Sequence, residues 1–155
     1  LKGDVLFLTM GTTLKIAGSK EAQYKVDVTY QYETAKAAAN NNVSKLILVS
    51  SIGANQNSIF FYPKIKGELE EMVKKLNFKS IYILRPPVLD RGEAIMRPTE
   101  RKTIAFIKRL NKFGLLESQK PMTTFFLASK MIELVNKETI DKTIILEAKD
   151  IFSLE

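Results

Sequence analysis

Residues Lys45–Glu71 read KLILVSSIGANQNSIFFYPKIKGELEE. The first five residues are continuously apolar but for Lys45, the mark of a strand buried on both faces. Ser50-Ser51 closes the run, a polar loop follows, and a helical pattern begins near Phe60 and continues to about Leu76. Pro63 is tolerated only near a helix start, where its missing N–H is an orphan in any case. Tyr62 therefore sits in the first turns, at the end nearest the strand.

The same alternation runs outward in both directions. Asp4–Thr9 (DVLFLT) is a short apolar run that ends in the loop Met10-Gly11-Thr12-Thr13. Ser19 offers an N-cap, and a long helix is predicted from about Glu21 to Ala39, stopping at Asn40-Asn41-Asn42. Ser80–Leu84 (SIYIL) is a third strand, broken by Arg85-Pro86-Pro87. A charged loop over Leu89–Glu100 precedes helices near Arg101–Asn111 and Met122–Asn136. Lys142–Glu147 (KTIILE) reads as a fourth strand, and Asp150–Glu155 as a short turn or helix. Strand and helix alternating in this way predict an α/β fold: βαβ units, a parallel sheet and helices on both faces. The loops after the first three strands then open on one edge of the sheet, where ligands of such folds sit.

Composition narrows the chemistry. The 155 residues suffice for one domain, taken as residues 1–155. With neither Cys nor His, there is no disulfide, thiolate nucleophile, Ser-His-Asp triad or His/Cys zinc site. Proton transfer falls to Tyr, Lys or carboxylates. Absent cysteine fits a reducing compartment, and a cytoplasmic location is expected. The net charge of +7 is spread over scattered lysines, which reads as solvated helix faces rather than a nucleic-acid surface. No apolar run approaches the ~20 residues of a membrane span. Glu68, Glu70 and Glu71 read as a solvated face with Lys74 and Lys75, and Phe60-Phe61 and Phe125-Phe126 as packing residues.

Tyr62 and Lys66 are four apart and share a helical face. The spacing alone is weak: chance supplies roughly 0.6 such matches in a chain of this composition, and Tyr32–Lys36 repeats it within the first long helix. Context separates them, because Tyr62 follows a serine pair at a buried strand end. A cation near a phenol lowers its pKa, and a serine on the adjoining strand can hydrogen-bond a substrate oxygen. Such a trio moves a proton to or from a carbonyl or alcohol oxygen.

VSSIGANQNSIFFYPKIKGELEEMVKKL followed by SIYILRPPVLDRGEAIMRPTE resembles the atypical short-chain dehydrogenase/reductases. The likeness is greatest to the NAD(P)-binding, sugar-epimerase-like group around the Tat-interacting protein. The matching features are Ser-Ser-x-Gly-Ala, Phe-Tyr-x-x-x-Lys-Gly-Glu, the Arg-Pro after the third strand, and the loop bearing Arg91, Glu93, Arg97, Pro98 and Glu100. LTMGTT and YKVDVTY resemble the family's fourth strand and the helix that follows it.

The resemblance implies a Rossmann-type, doubly wound parallel sheet of about four strands and an NAD(P)-dependent oxidoreductase or epimerase-like activity. It implies Tyr62 as general acid/base, Lys66 tuning Tyr62 and binding the nicotinamide ribose, and Ser51 (or Ser50) polarising the reacting oxygen. Gly11 and Thr12 would face the adenosine half of NADP or NAD. Ser50 and the backbone of Pro86, Pro87 and Val88 would also contact the cofactor. Asp27 stands where related dehydrogenases often carry Asn. A cofactor-sensing module without turnover is the alternative. The implied partners are the dinucleotide and a small-molecule substrate, with homo-oligomerisation left open. No glycine-rich strand-to-helix turn occurs in these residues, so the chain reads as the catalytic portion of a dinucleotide-binding domain. Residues before Leu1, or a neighbouring chain, are expected to cover the first strand.

Overall fold

The computed structural model describes residues 2–91, 120–137 and 139–154. The predicted loop beyond Arg91 and the helix near Arg101–Asn111 lie outside the described residues.

Four strands, β1 (Val5–Leu8), β2 (Lys45–Val49), β3 (Ser80–Arg85) and β6 (Thr143–Glu147), form one parallel sheet in the order β1-β2-β3-β6. Register runs Leu8↔Leu48, Val49↔Leu84 and Arg85↔Glu147, which brings the strand C-termini to one edge. Alternation sorts the side chains to two faces. Leu46, Leu48, Ile81 and Ile83 pack with Ala35, Ala38, Ile65, Leu69 and Val73 on one side. Ile47, Tyr82 and Leu84 pack with Leu127, Met131, Leu134 and Ile151 on the other. The sheet is covered on both faces, as the apolar runs predict.

β1 departs from the expected fully buried strand. It pairs with β2 alone among the described residues, and Phe7 is 42% exposed. A short helix α1 (Leu14–Ala17) also intervenes, started by Thr13 and ended by Gly18 at φ +84°. One turn is too short to declare itself by periodicity.

The Ser19 cap forms as expected, its hydroxyl accepting from Ala22 N–H. The helix it starts is continuous but not uniform: α2 (Lys20–Tyr24) passes into a π-helical turn (Lys25–Thr29) and then α3 (Tyr30–Asn40). The widened turn is sealed by Tyr30 N–H donating to Lys25 C=O, an i→i+5 bond that re-aims the side chains on it. The long helix after β2 is α4 (Phe61–Lys74). A two-residue parallel pairing joins β4 (Leu89–Asp90), where a loop was expected, to β5 (Met122–Thr123), where the expected helix was to begin. Helix α5 (Thr124–Asn136) follows β5, and α6 (Ala148–Phe152) follows β6.

Candidate active site

The serine pair is placed by an extension of the ladder beyond β2. Ser50 N–H donates to Leu84 C=O at 2.8 Å, and Ile52 N–H to Pro86 C=O at 3.2 Å. Ser50 and Ser51 are thereby held beside Pro86-Pro87-Val88, and these five residues line a small pocket of about 230 Å³ with Tyr62, Leu89 and Arg91. The Ser51 hydroxyl donates to Ile52 C=O at 3.3 Å, and it lines the same pocket as the Tyr62 phenol, whose pKa it acts to lower. The Ser50 hydroxyl donates instead to Glu70 Oε1 at 2.5 Å. Of the two serines, Ser51 is the one whose hydroxyl bears on the charge of the Tyr62 phenol.

Tyr62, Lys66 and Glu70 follow one another at four-residue spacing along α4, and tertiary partners meet each of them. Lys66 is 3% exposed, with Nζ 3.6 Å from Asp27 Oδ1 and 6.0 Å from the centre of the Tyr62 ring. Asp27 is fully buried on the π-helical turn, and its Oδ2 accepts from Thr12 N–H at 3.1 Å. Gln23 Nε2 donates to Thr12 C=O at 3.4 Å, so two side chains from the following helix hold the turn after β1.

Glu70 corrects the sequence expectation of a solvated face. It is 1% exposed and takes two hydrogen bonds from Arg85, Nε to Oε1 at 3.0 Å and Nη2 to Oε2 at 2.6 Å. Arg85 Nη1 also donates to Glu147 at 2.7 Å. The arginine before Pro86 thus clamps α4, β3 and the end of β6 together. Glu71 does pair on the surface with Lys74, as expected. The paired phenylalanines divide: Phe61 and Phe126 pack against the two cores, whereas Phe60 is 68% and Phe125 85% exposed.

The phenol's electrostatics also differ from expectation. A neighbouring lysine alone would lower the Tyr62 pKa. Partial burial of the ring, which is still 41% exposed, and then the Asp27 carboxylate push it up instead, opposed by the Ser51 hydroxyl and the Arg91 charge. The Lys66 pKa is pushed down by burial, against the favourable charges of Asp27 and Glu70.

Tyr62 also borders a cleft of about 540 Å³ lined by Gly11, Thr12, Thr13, Lys20, Gln23 and Arg91, among others. Gly11 and Thr12 are thus brought to the tyrosine, as are Pro86, Pro87 and Val88 from the opposite side. Lys66 lines neither pocket; it lies behind the ring. Lys20 and Gln23 escaped sequence reasoning, because nothing in a helical repeat shows which residues will flank a distant strand end. No group of acidic residues among the described ones is arranged to hold a metal. No described helix is long and apolar enough to cross a membrane.

The parallel sheet with helices on both faces is a partial Rossmann-like fold. Solved structures bear this out at low identity. A putative NAD-dependent epimerase/dehydratase from Bacillus halodurans superposes with TM-score 0.61 at 20% identity, over 97% of this chain and 70% of that one. A UDP-galactose 4-epimerase gives 0.67 at 13%, over 94% and 56%. The dTDP-4-dehydrorhamnose reductase of Bacillus anthracis, solved with NADP, gives 0.63 at 16%, over 97% and 61%.

In sequence, the chain is similar to curated proteins named Fmp52, mitochondrial. It is 40% identical to that of Aspergillus niger over 97 residues, which is 63% of this chain and 42% of the relative. It is 46% identical to that of Candida albicans over 89 residues, 57% and 39%. The match therefore spans less than half the length of these relatives. No family model matches the chain. The mitochondrial names overturn the expected cytoplasmic location and point to mitochondria. Missing cysteine had suggested only a reducing compartment, which carries no address.

Proposed function

We propose that the protein is an NAD(P)-dependent oxidoreductase or epimerase-like enzyme, with Tyr62 as general acid/base assisted by Ser51 and Lys66. The observation that carries this reading is that Ser51 and Tyr62 line one pocket at the carboxyl edge of the sheet. That is where proton transfer to a substrate oxygen needs them. Nicotinamide dinucleotide is the cofactor class bound by proteins of similar fold, and it supplies hydride when bound.

The described residues fit one end of such a cofactor. The pocket beside Pro86, Pro87, Val88 and Ser50 has room for a flat ring against backbone, and it adjoins Tyr62. Gly11 and Thr12, on the other side of Tyr62, offer a wall for the rest of the molecule. The helix N-terminus that would cradle a pyrophosphate is not among the described residues. Protonated Tyr62 donates to a carbonyl oxygen held by Ser51, and the phenolate accepts a proton in the reverse direction. Lys66, buried behind the ring and paired with Asp27, sets the charge around the phenol together with that carboxylate. Because it lines neither pocket, the ribose contact implied for it is not part of this reading. The finer kinship with the Tat-interacting-protein-like group rests on the motifs around Tyr62 and Arg85.

A second reading is a module that senses NADP(H) without turnover. It is favoured by Ile59 and Phe60, 92% and 68% exposed immediately ahead of the Phe61-Tyr62 helix start, which offer a protein partner an apolar edge beside the site. Titration with NADPH and NADH, followed by turnover with a panel of carbonyl compounds, decides. The enzyme reading expects Tyr62→Phe to keep nucleotide binding and lose turnover. Binding of neither nucleotide sinks both readings.

A further inference from the structure

Asp27 lines neither pocket beside Tyr62, yet its carboxylate meets residues of the site on two sides. It lies on the π-helical turn, and its own C=O accepts from Gln31 Nε2 at 2.8 Å. The carboxylate reaches two separate parts of the site, Thr12 N–H through Oδ2 and Lys66 Nζ beside Oδ1. Gly11 makes room for this: a Cβ at that position would stand 3.3 Å from Oδ1. Removing a carboxylate from water costs several kcal/mol unless a counter-charge accompanies it. Lys66 is the one ion-pair partner of Asp27 among the described residues.

We propose that Asp27 is a positioning residue that binds Lys66 and the Gly11–Thr12 turn at once, so that the lysine's charge is balanced by Asp27 rather than directed at Tyr62. The inference rests on the reading of Tyr62 as the proton-transfer residue. A lysine alone behind the ring would favour phenolate. The pair presents almost no net charge, and Tyr62 stays protonated at neutral pH, ready to donate. Other charges acting here are Glu70, felt by Lys66, and Arg91, felt by Tyr62. An Asn at this position would keep the shape and the bond to Thr12 but leave the lysine unbalanced.

The test is the phenolate absorbance titration of Tyr62 without nucleotide, isolated from the other four tyrosines by subtracting the Tyr62→Phe curve in each background. Asp27→Asn is expected to lower the midpoint by about one unit or more. Lys66→Gln, which leaves Asp27 unbalanced, is expected to raise it by a similar amount. A midpoint unmoved in either folded variant overturns the proposal, and Lys66→Gln alone suffices should Asp27→Asn fail to fold. Hydrogen exchange at Thr12 N–H reads the second contact. It should be faster in Asp27→Ala than in Asp27→Asn, whose amide oxygen still accepts; equal rates overturn that contact. Nucleotide binding is measured separately, so its failure would count against the enzyme reading while leaving the phenol result to stand.

Discussion

Lys66 Nζ lies closer to Asp27, at 3.6 Å from Oδ1, than to the centre of the Tyr62 ring, at 6.0 Å. Both partners of the ion pair are buried, so neither charge has water to fall back on. Removing one alone leaves the other stranded. Lys66→Met is expected to destabilise the fold by about 3 kcal/mol, whereas the double variant Asp27→Asn/Lys66→Met recovers much of that loss. Urea unfolding of the two singles and the double gives the coupling. Additive losses would mean the pair is not a unit.

The Arg85–Glu70 clamp gives a second stability prediction. Glu70→Gln keeps the size of the side chain but leaves Arg85 with half a partner on a site where Ser50 also donates. A loss of about 3 kcal/mol is expected, read as a lower urea midpoint with unchanged slope. Glu71→Gln, one position along, breaks only the surface contact with Lys74 and should cost under about 1 kcal/mol.

Gly67 is where α4 touches the loop before it. A Cβ there would collide with the backbone of Gln56 and stand 2.7 Å from Asn55 Cα. Backbone cannot rotate aside as a side chain can. Gly67→Ala should therefore cost about 1–3 kcal/mol through overpacking, although alanine is the better helix former. Amide shifts concentrated at Asn55–Asn57 would confirm the cause. A stabilised Gly67→Ala would refute the contact.

Alkaline pH separates Tyr62 from a passive ring. Its folded pKa lies above the ordinary value of 10.0, so from pH 10 upward the unfolded chain gives up a proton that the folded chain keeps. The unfolded state then binds fewer protons, and stability falls as pH rises. The contribution is intact below pH 10 and is lost as pH climbs through the raised folded value. Tyr62→Phe should show a shallower decline than the parent above pH 10 and a parallel curve below it. Thermal melts across that window measure the difference.

Much of this was legible from local pattern. Continuous apolar runs located all four strands of the sheet, but only β2 and β3 are largely buried. β1 and β6 carry the same kind of run and are half-exposed, because a run does not show whether a strand has neighbours on both sides. Ser19 announced its helix, and Pro63 put Tyr62 at a helix start, since both signals depend on backbone groups a residue or two away. Glu70 was misread for the same reason: among Glu68, Glu71, Lys74 and Lys75 its local pattern is that of a wet surface. Its true partner, Arg85, comes from the next strand. The β4–β5 pairing was missed because two residues carry no periodicity.

The sequence by itself determined the order of strands and helices and the presence of a serine pair ahead of a tyrosine and lysine, since these follow from short-range sterics and apolar spacing. Only the tertiary structure decided what surrounds them. It tied the Ser50 hydroxyl to Glu70, left Ser51 beside Tyr62 in one pocket, and set Asp27 against Lys66 from 39 positions away. Electrostatic balance in a buried site depends on distances across elements, and those are fixed only when the helices close on the sheet.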